Sequence, residues 1–99
     1  VFQLVQDLAE LWGLDRNTAA RLIGNVPFEE ATLLKLNCDK ALAYLDWHST
    51  LHYEECVHFI ADWYKAFYTD ANVDMYSLTT AQIDSYVRAA GAQHLKWAE

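Results

Sequence analysis

Along the first twelve residues, Val1, Leu4, Val5, Leu8, Leu11 and Trp12 recur at steps of three and four, the period of one helix face. Gly13 then supplies the stop. From Leu14 to Val26 the signals conflict. Asp15, Asn17 or Thr18 can cap a short helix through Ile23, and Arg21-Leu22-Ile23 reads equally as a short strand. Gly24-Asn25 marks a turn, Pro27 breaks any helix before it, and Thr32-Leu33-Leu34-Lys35-Leu36 is short and apolar enough for an extended segment. Asn37 is an N-cap candidate for a two-turn helix whose apolar stripe is Cys38, Ala41, Leu42 and Leu45.

The clearest element follows. Cys56, Phe59, Ile60, Trp63, Tyr64 and Phe67 repeat at helical spacing while Glu54, Glu55, His58, Asp62 and Lys65 fall outside that stripe, which predicts an amphipathic helix from about Tyr53 to Tyr68. A polar loop from Thr69 to Ser77 leads to Thr79-Thr80-Ala81-Gln82, whose spacing fits a capping box. The helix it would start shows Ile83, Tyr86, Val87 and Ala90 on one face and meets Gly91 at its expected end. The fold class expected is therefore mainly α: a small lobe of about four helices with one or two short extended segments, a single unit over 1–99 with no internal repeat.

Composition narrows the classes of function. At 99 residues the chain has room for one domain, so a complete cofactor-dependent enzyme is not expected. Hydrophobic residues are 54% of the chain, too many for a disordered segment, and the four Trp, six Tyr and four Phe either build the core or face a partner. Fourteen acidic against seven scattered basic residues leave a net charge of −7, which argues against nucleic acid and against polybasic membrane attachment. No apolar run approaches the roughly 20 residues of a membrane span, no signal peptide opens the chain, and the expected location is cytoplasmic. Cys38 and Cys56 fall at apolar helical positions, where a thiol packs as a small hydrophobe.

Several constellations are weighed for chemistry. His48, His52, Cys56 and His58 lie close together, but the histidines point in different directions on a helical wheel, so capping and surface roles are favoured over zinc. Asp70-Ala71-Asn72-Val73-Asp74 opens like a calcium loop. It then places Met75 where glycine is needed and Ala81 where a closing glutamate is needed, so a solvated turn is favoured. Ser49 beside His48 lacks a nucleophile turn, and Glu29-Glu30 reads as a solvated pair before an acid–base site. No glycine-rich phosphate loop is present.

Three stretches, Glu30-Ala31-Thr32-Leu33-Leu34-Lys35-Leu36-Asn37-Cys38-Asp39-Lys40-Ala41, then Leu45-Asp46-Trp47-His48, then Trp63-Tyr64-Lys65, resemble the C-terminal part of CDP-glucose 4,6-dehydratases. These belong to the extended short-chain dehydrogenase/reductase enzymes. Met75-Tyr76-Ser77-Leu78-Thr79 is similar to the family's Y-S-[IL]-T tail, and Leu11-Trp12-Gly13 extends the likeness to the opening helix. The resemblance implies a substrate-binding lobe of a lyase that uses NAD to make a 4-keto-6-deoxy sugar nucleotide for O-antigen synthesis. The NAD-binding domain with its glycine-rich loop and Tyr-x-x-x-Lys pair would be absent, and the chain catalytically incomplete alone. Its opening inside a helical pattern, without Met, is what an excised piece would look like.

By matching position, Glu30 and Lys35 are the expected residues for the nucleotide-sugar cleft, with no catalytic, cofactor or metal residue expected in this chain. Departures are visible too. Pro27-Phe28-Glu29-Glu30-Ala31 stands where the family has P-H-E-A, so Glu29 replaces the histidine; Asp46 replaces the glycine of L-G-W; Asn37 and His52 change capping positions. The implied partners are a nucleotide sugar in the parent enzyme and either the missing NAD-binding domain or a second copy. The rival expectation is a free-standing helical interaction module whose stripe of Phe59, Trp63, Tyr64 and Phe67 docks on a partner.

Overall fold

The helix periods translate into helices: a computed structural model, which describes residues 1–21, 24 and 35–99, contains α1 (Phe2–Trp12), α2 (Asp39–Leu45), α3 (Tyr53–Thr69) and α4 (Met75–Ala92), followed by a short 3-10 turn, Lys96–Ala98. The protein is a small all-α domain with no strand among the described residues. The ambiguous segment from Leu14 keeps one turn on Asp15, whose backbone and side-chain oxygens accept from the amides of Asn17, Thr18 and Ala19. Most of the expected extended segment at 32–36 lies outside the described residues, and Lys35 and Leu36 are irregular. None of the described helices is long and apolar enough to cross a membrane.

Local chemistry sets the boundaries. Gly13 takes the left-handed conformation, φ 83°, that glycine adopts without steric cost, and its amide donates back to Ala9 and Glu10 to close α1. Cys38 and not the expected Asn37 is the N-cap of α2, and Asn37, one residue earlier, accepts the Asp39 amide on its Oδ1 at 2.7 Å. At the other end of α2, Asp46 occupies the left-handed region at φ 52°, a seat more often held by glycine. The α3 helix begins with the His52 amide donating to Glu55 Oε2 at 2.7 Å.

α4 begins earlier than the capping pattern predicts. Asp74 is its N-cap, with Oδ1 accepting the Tyr76 amide and Oδ2 accepting the Ser77 hydroxyl, so Thr79 lies one turn inside the helix. Gly91 does not end the helix, which runs on to Ala92. The Asp70–Asp74 stretch is a turn in which Asp70 accepts the amides of Asn72 and Val73.

α3 sits in the middle of a row, with α1 against one flank and α4 against the other; α4 also carries the 3-10 turn, and α2 touches no other helix among those described. Only small side chains are enclosed: Ala9, Val57, Ala61 and Ala90, with Thr50 the one buried polar residue among those described. The expected core stripe is thereby corrected. Val57 and Ala61 point into the seam, while Cys56, Ile60, Tyr64 and Phe67 are exposed and Phe59 and Trp63 are half-buried. Likewise Leu42 and Leu45 of α2 and Ile83 and Val87 of α4 are exposed, and both cysteines are exposed free thiols, not packed hydrophobes.

Candidate interaction surface

The flanks of α3 are fixed by side-chain hydrogen bonds. Toward α1, the Tyr53 hydroxyl donates to Asp7 Oδ2 at 2.7 Å and Lys65 Nζ donates to the Leu11 carbonyl at 3.2 Å. That bond to a carboxylate raises the Tyr53 pKa above its ordinary 10.0, because ionising the phenol would set two anions side by side. Toward α4, the Trp63 Nε1 donates to Thr79 Oγ1 at 2.8 Å and Gln82 Nε2 donates to the Phe59 carbonyl at 2.8 Å.

These contacts also orient the two broad faces of the row. At 100° per residue, Ile60, Trp63, Tyr64 and Phe67 share one side of α3, and Glu54, Glu55, His58, Asp62 and Lys65 the other. Along the α3–α4 seam, Trp63 with Thr79 lies nearer the apolar side than Phe59 with Gln82. Continuing around α4 in the same sense, past Thr79, leads to Ile83, Tyr76 and Val87. One face therefore runs across both helices, carrying Ile60 (43% exposed), Tyr64 (47%), Phe67 (52%), Ile83 (57%) and Val87 (41%).

Aromatic rings continue it toward α1. Trp63 stacks on Phe67 at 5.5 Å and meets Tyr64 edge-on; Phe67 meets Tyr68 edge-on at 5.0 Å; Tyr64 stacks on Tyr68, which leans on Trp12 at 6.4 Å. Five rings thus support one another in geometries that favour aromatic pairs, which holds their rotamers while leaving much of their area uncovered. Residues ordered in advance lose less entropy when a partner arrives.

Concave features are modest. A cleft of about 320 Å³ lies between the end of α2 and the 3-10 turn, lined by Asp46, His48, His94, Lys96 and Trp97 among others. Lys96 Nζ bonds Asp46 Oδ2 at 2.8 Å across it, so the cation it offers is already paired. A groove of about 240 Å³ between α1 and α3 holds Asp7, Glu10 and Glu54 over Leu11 and Val57. Arg16 bridges two of those carboxylates, at 3.6 Å from Asp7 and 3.3 Å from Glu10.

Of the residues expected to contact a nucleotide sugar, Lys35 is exposed in irregular chain and lines neither space, while Glu30, like Glu29, lies outside the described residues. The His48, His52, Cys56 and His58 cluster forms no metal-binding group among the described residues. His52 instead opens α3, and His48 lies 3.9 Å from Asp46. Tyr76 is the member of the apolar face that periodicity missed, because the expected loop ran through it. Compared with known protein families, with curated proteins and with solved structures, the chain matches none.

Proposed function

We propose that the chain acts as a helical docking lobe, working through the aromatic face of α3 and α4 instead of through chemistry of its own. The observation that carries this reading is the inversion of the expected core: Ile60, Tyr64 and Phe67 of α3 are exposed while Val57 and Ala61 fill the seam. Contiguous exposed apolar surface of this kind marks interaction sites, and preordered aromatics are favoured anchors. A photo-crosslinker placed at Phe67 and, as control, at Asp62 on the charged face tests it. A discrete product, with a second copy or another protein, is expected from position 67 alone. Equal labelling from both positions would sink the reading.

The resemblance to the C-terminal part of CDP-glucose 4,6-dehydratases supports a second, more specific reading, in which the docking partner is an NAD-binding domain and the lobe helps hold a nucleotide sugar. It is favoured by Asp46: the position where that family has glycine adopts the left-handed backbone in which glycine is at ease. In that reading NAD would be held by the partner domain: Gly13 caps α1 and Gly91 lies within α4, so among the described residues neither of these glycines belongs to a phosphate-cradling loop. Titrating CDP-glucose against the chain while following amide resonances from Lys35 to Ala41 discriminates the two. Saturable shifts there support the dehydratase reading, and their absence up to millimolar ligand refutes it.

A further inference from the structure

Resting on the docking reading, we infer that the occupant of the aromatic face is a second copy of this chain, joined about a two-fold axis so that the α3–α4 face of one protomer covers that of its partner. Domains bury apolar surface between at least two layers of secondary structure. Here α1, α3 and α4 form a row in which the outer two meet only the middle one, and no side chain larger than valine is enclosed among the described residues. Among the described residues no second layer covers the apolar face of this row, and a second row of the same helices supplies one with matching dimensions.

Area and charge agree with that assignment. Six side chains, Ile60, Tyr64, Phe67, Tyr76, Ile83 and Val87, between 41% and 81% exposed, present on the order of 600 Å² per copy. Two faces brought together remove roughly 1,200 Å² from water before any backbone is counted, the lower bound of a specific interface. A net charge of −7 would oppose pairing if it lay on the face, but the charged residues of α3 occupy the opposite side. Charges held a helix diameter or more from the contact are largely screened at physiological salt. Among the described residues of α3 and α4 that form the face none is charged, and an apolar stripe is complementary to itself, the condition for an isologous dimer.

Cys56 supplies a native reporter, because it is a free exposed thiol one turn before Ile60 on the same side of α3, whereas Cys38 stands at the start of α2, away from the row. Sedimentation of the full chain from low-micromolar to several hundred micromolar should show the mass rising from 11.4 kDa to twice that value. Over the same range alkylation of Cys56 should slow severalfold while that of Cys38 stays constant. The double variant Phe67→Glu/Ile83→Glu should keep its helical circular dichroism and stay monomeric, and Asp62→Asn should dimerise like the parent. A chain that stays monomeric throughout, with Cys56 reacting at one rate, overturns the inference. If that monomer still binds an apolar dye that the double variant does not, the docking reading survives and only the second copy is wrong; if it binds no dye, both fail.

Discussion

The bond between Trp63 and Thr79 is the most informative single contact to perturb, because it joins α3 to α4 at the edge of the aromatic face. The Thr79 hydroxyl donates to the Met75 carbonyl at 2.7 Å, so its proton is committed and its lone pair points at the indole, which donates at 2.8 Å. A neutral hydrogen bond of this kind contributes about 0.5–1.5 kcal/mol net. Trp63 and Thr79 are both half-buried, so water reaches a stranded donor and the coupling falls near the middle of that range, about 1 kcal/mol. Trp63→Phe removes the donor and keeps a ring against Phe67, while Thr79→Val removes the acceptor and keeps the branched shape. Each single variant is expected to lose about 1–2 kcal/mol, and the double variant about 1 kcal/mol less than the sum. The assay is urea denaturation followed by circular dichroism at low protein concentration, where self-association does not enter. Additivity within about 0.3 kcal/mol would mean that the two side chains do not interact, and the α3–α4 register with its shared face would lose its main support.

Thr50 is 1% exposed and its hydroxyl has no partner among the described residues, while its carbonyl accepts from Gln93 Nε2 at 2.8 Å. Thr50→Val is therefore expected to stabilise the fold by about 1 kcal/mol, or roughly 4–8 °C in melting temperature, and a lower melting temperature would show that the hydroxyl is satisfied. Asp46→Gly trades a strained left-handed residue for a relaxed one at the cost of the Lys96 ion pair, so it should raise the melting temperature more at high salt than at low; an effect independent of salt would refute this. The Lys96 hydrogen bond and charge hold Asp46 below its ordinary 3.8 and Asp46 holds Lys96 above 10.5, so in the parent the pair stabilises between those values. It is lost as pH falls through the lowered Asp46 value or rises through the raised Lys96 value, which carboxyl and ammonium NMR titrations check directly.

Where one local signal stood alone, the sequence was readable. Gly13 after a helical period ends α1, and the run from Tyr53 gives α3 to within one residue. Where two signals competed, the pattern misled: Thr79 and Gln82 have capping-box spacing, but Asp74 offers two carboxylate oxygens one turn earlier and takes the role, leaving Thr79 to bond an indole and Gln82 a carbonyl on α3. Periodicity likewise finds an apolar stripe without saying whether anything covers it. Cys56 and Ile60 are separated from Val57 and Ala61 by one residue, a rotation of about 100°, and that step decides which pair meets α1. The Asp46–Lys96 pair spans half the chain and the Tyr53–Asp7 bond joins two helices, so neither leaves a local trace. Tyr64, Phe67, Ile83 and Val87 were legible as apolar positions, and only their exposure was not.

An uncovered stripe has a thermodynamic consequence for the second-copy inference that needs no variant. If the face is buried only in the dimer, part of the free energy of folding is free energy of association, and stability must depend on concentration. For a dimer unfolding to two chains, a tenfold rise in concentration stabilises each dimer by about 1.4 kcal/mol. Spread over the unfolding entropy of two chains of this length, that is a rise of about 3 °C in melting temperature per decade. With only alanines, a valine and a threonine buried among the described residues, the lobe has little else to draw on, so the effect should be visible by calorimetry across two decades of concentration. In Phe67→Glu/Ile83→Glu the dependence should vanish and the melting temperature should sit at the parent's low-concentration value. A parent melting temperature that stays constant across those decades would show that the row of helices is stable without its second layer.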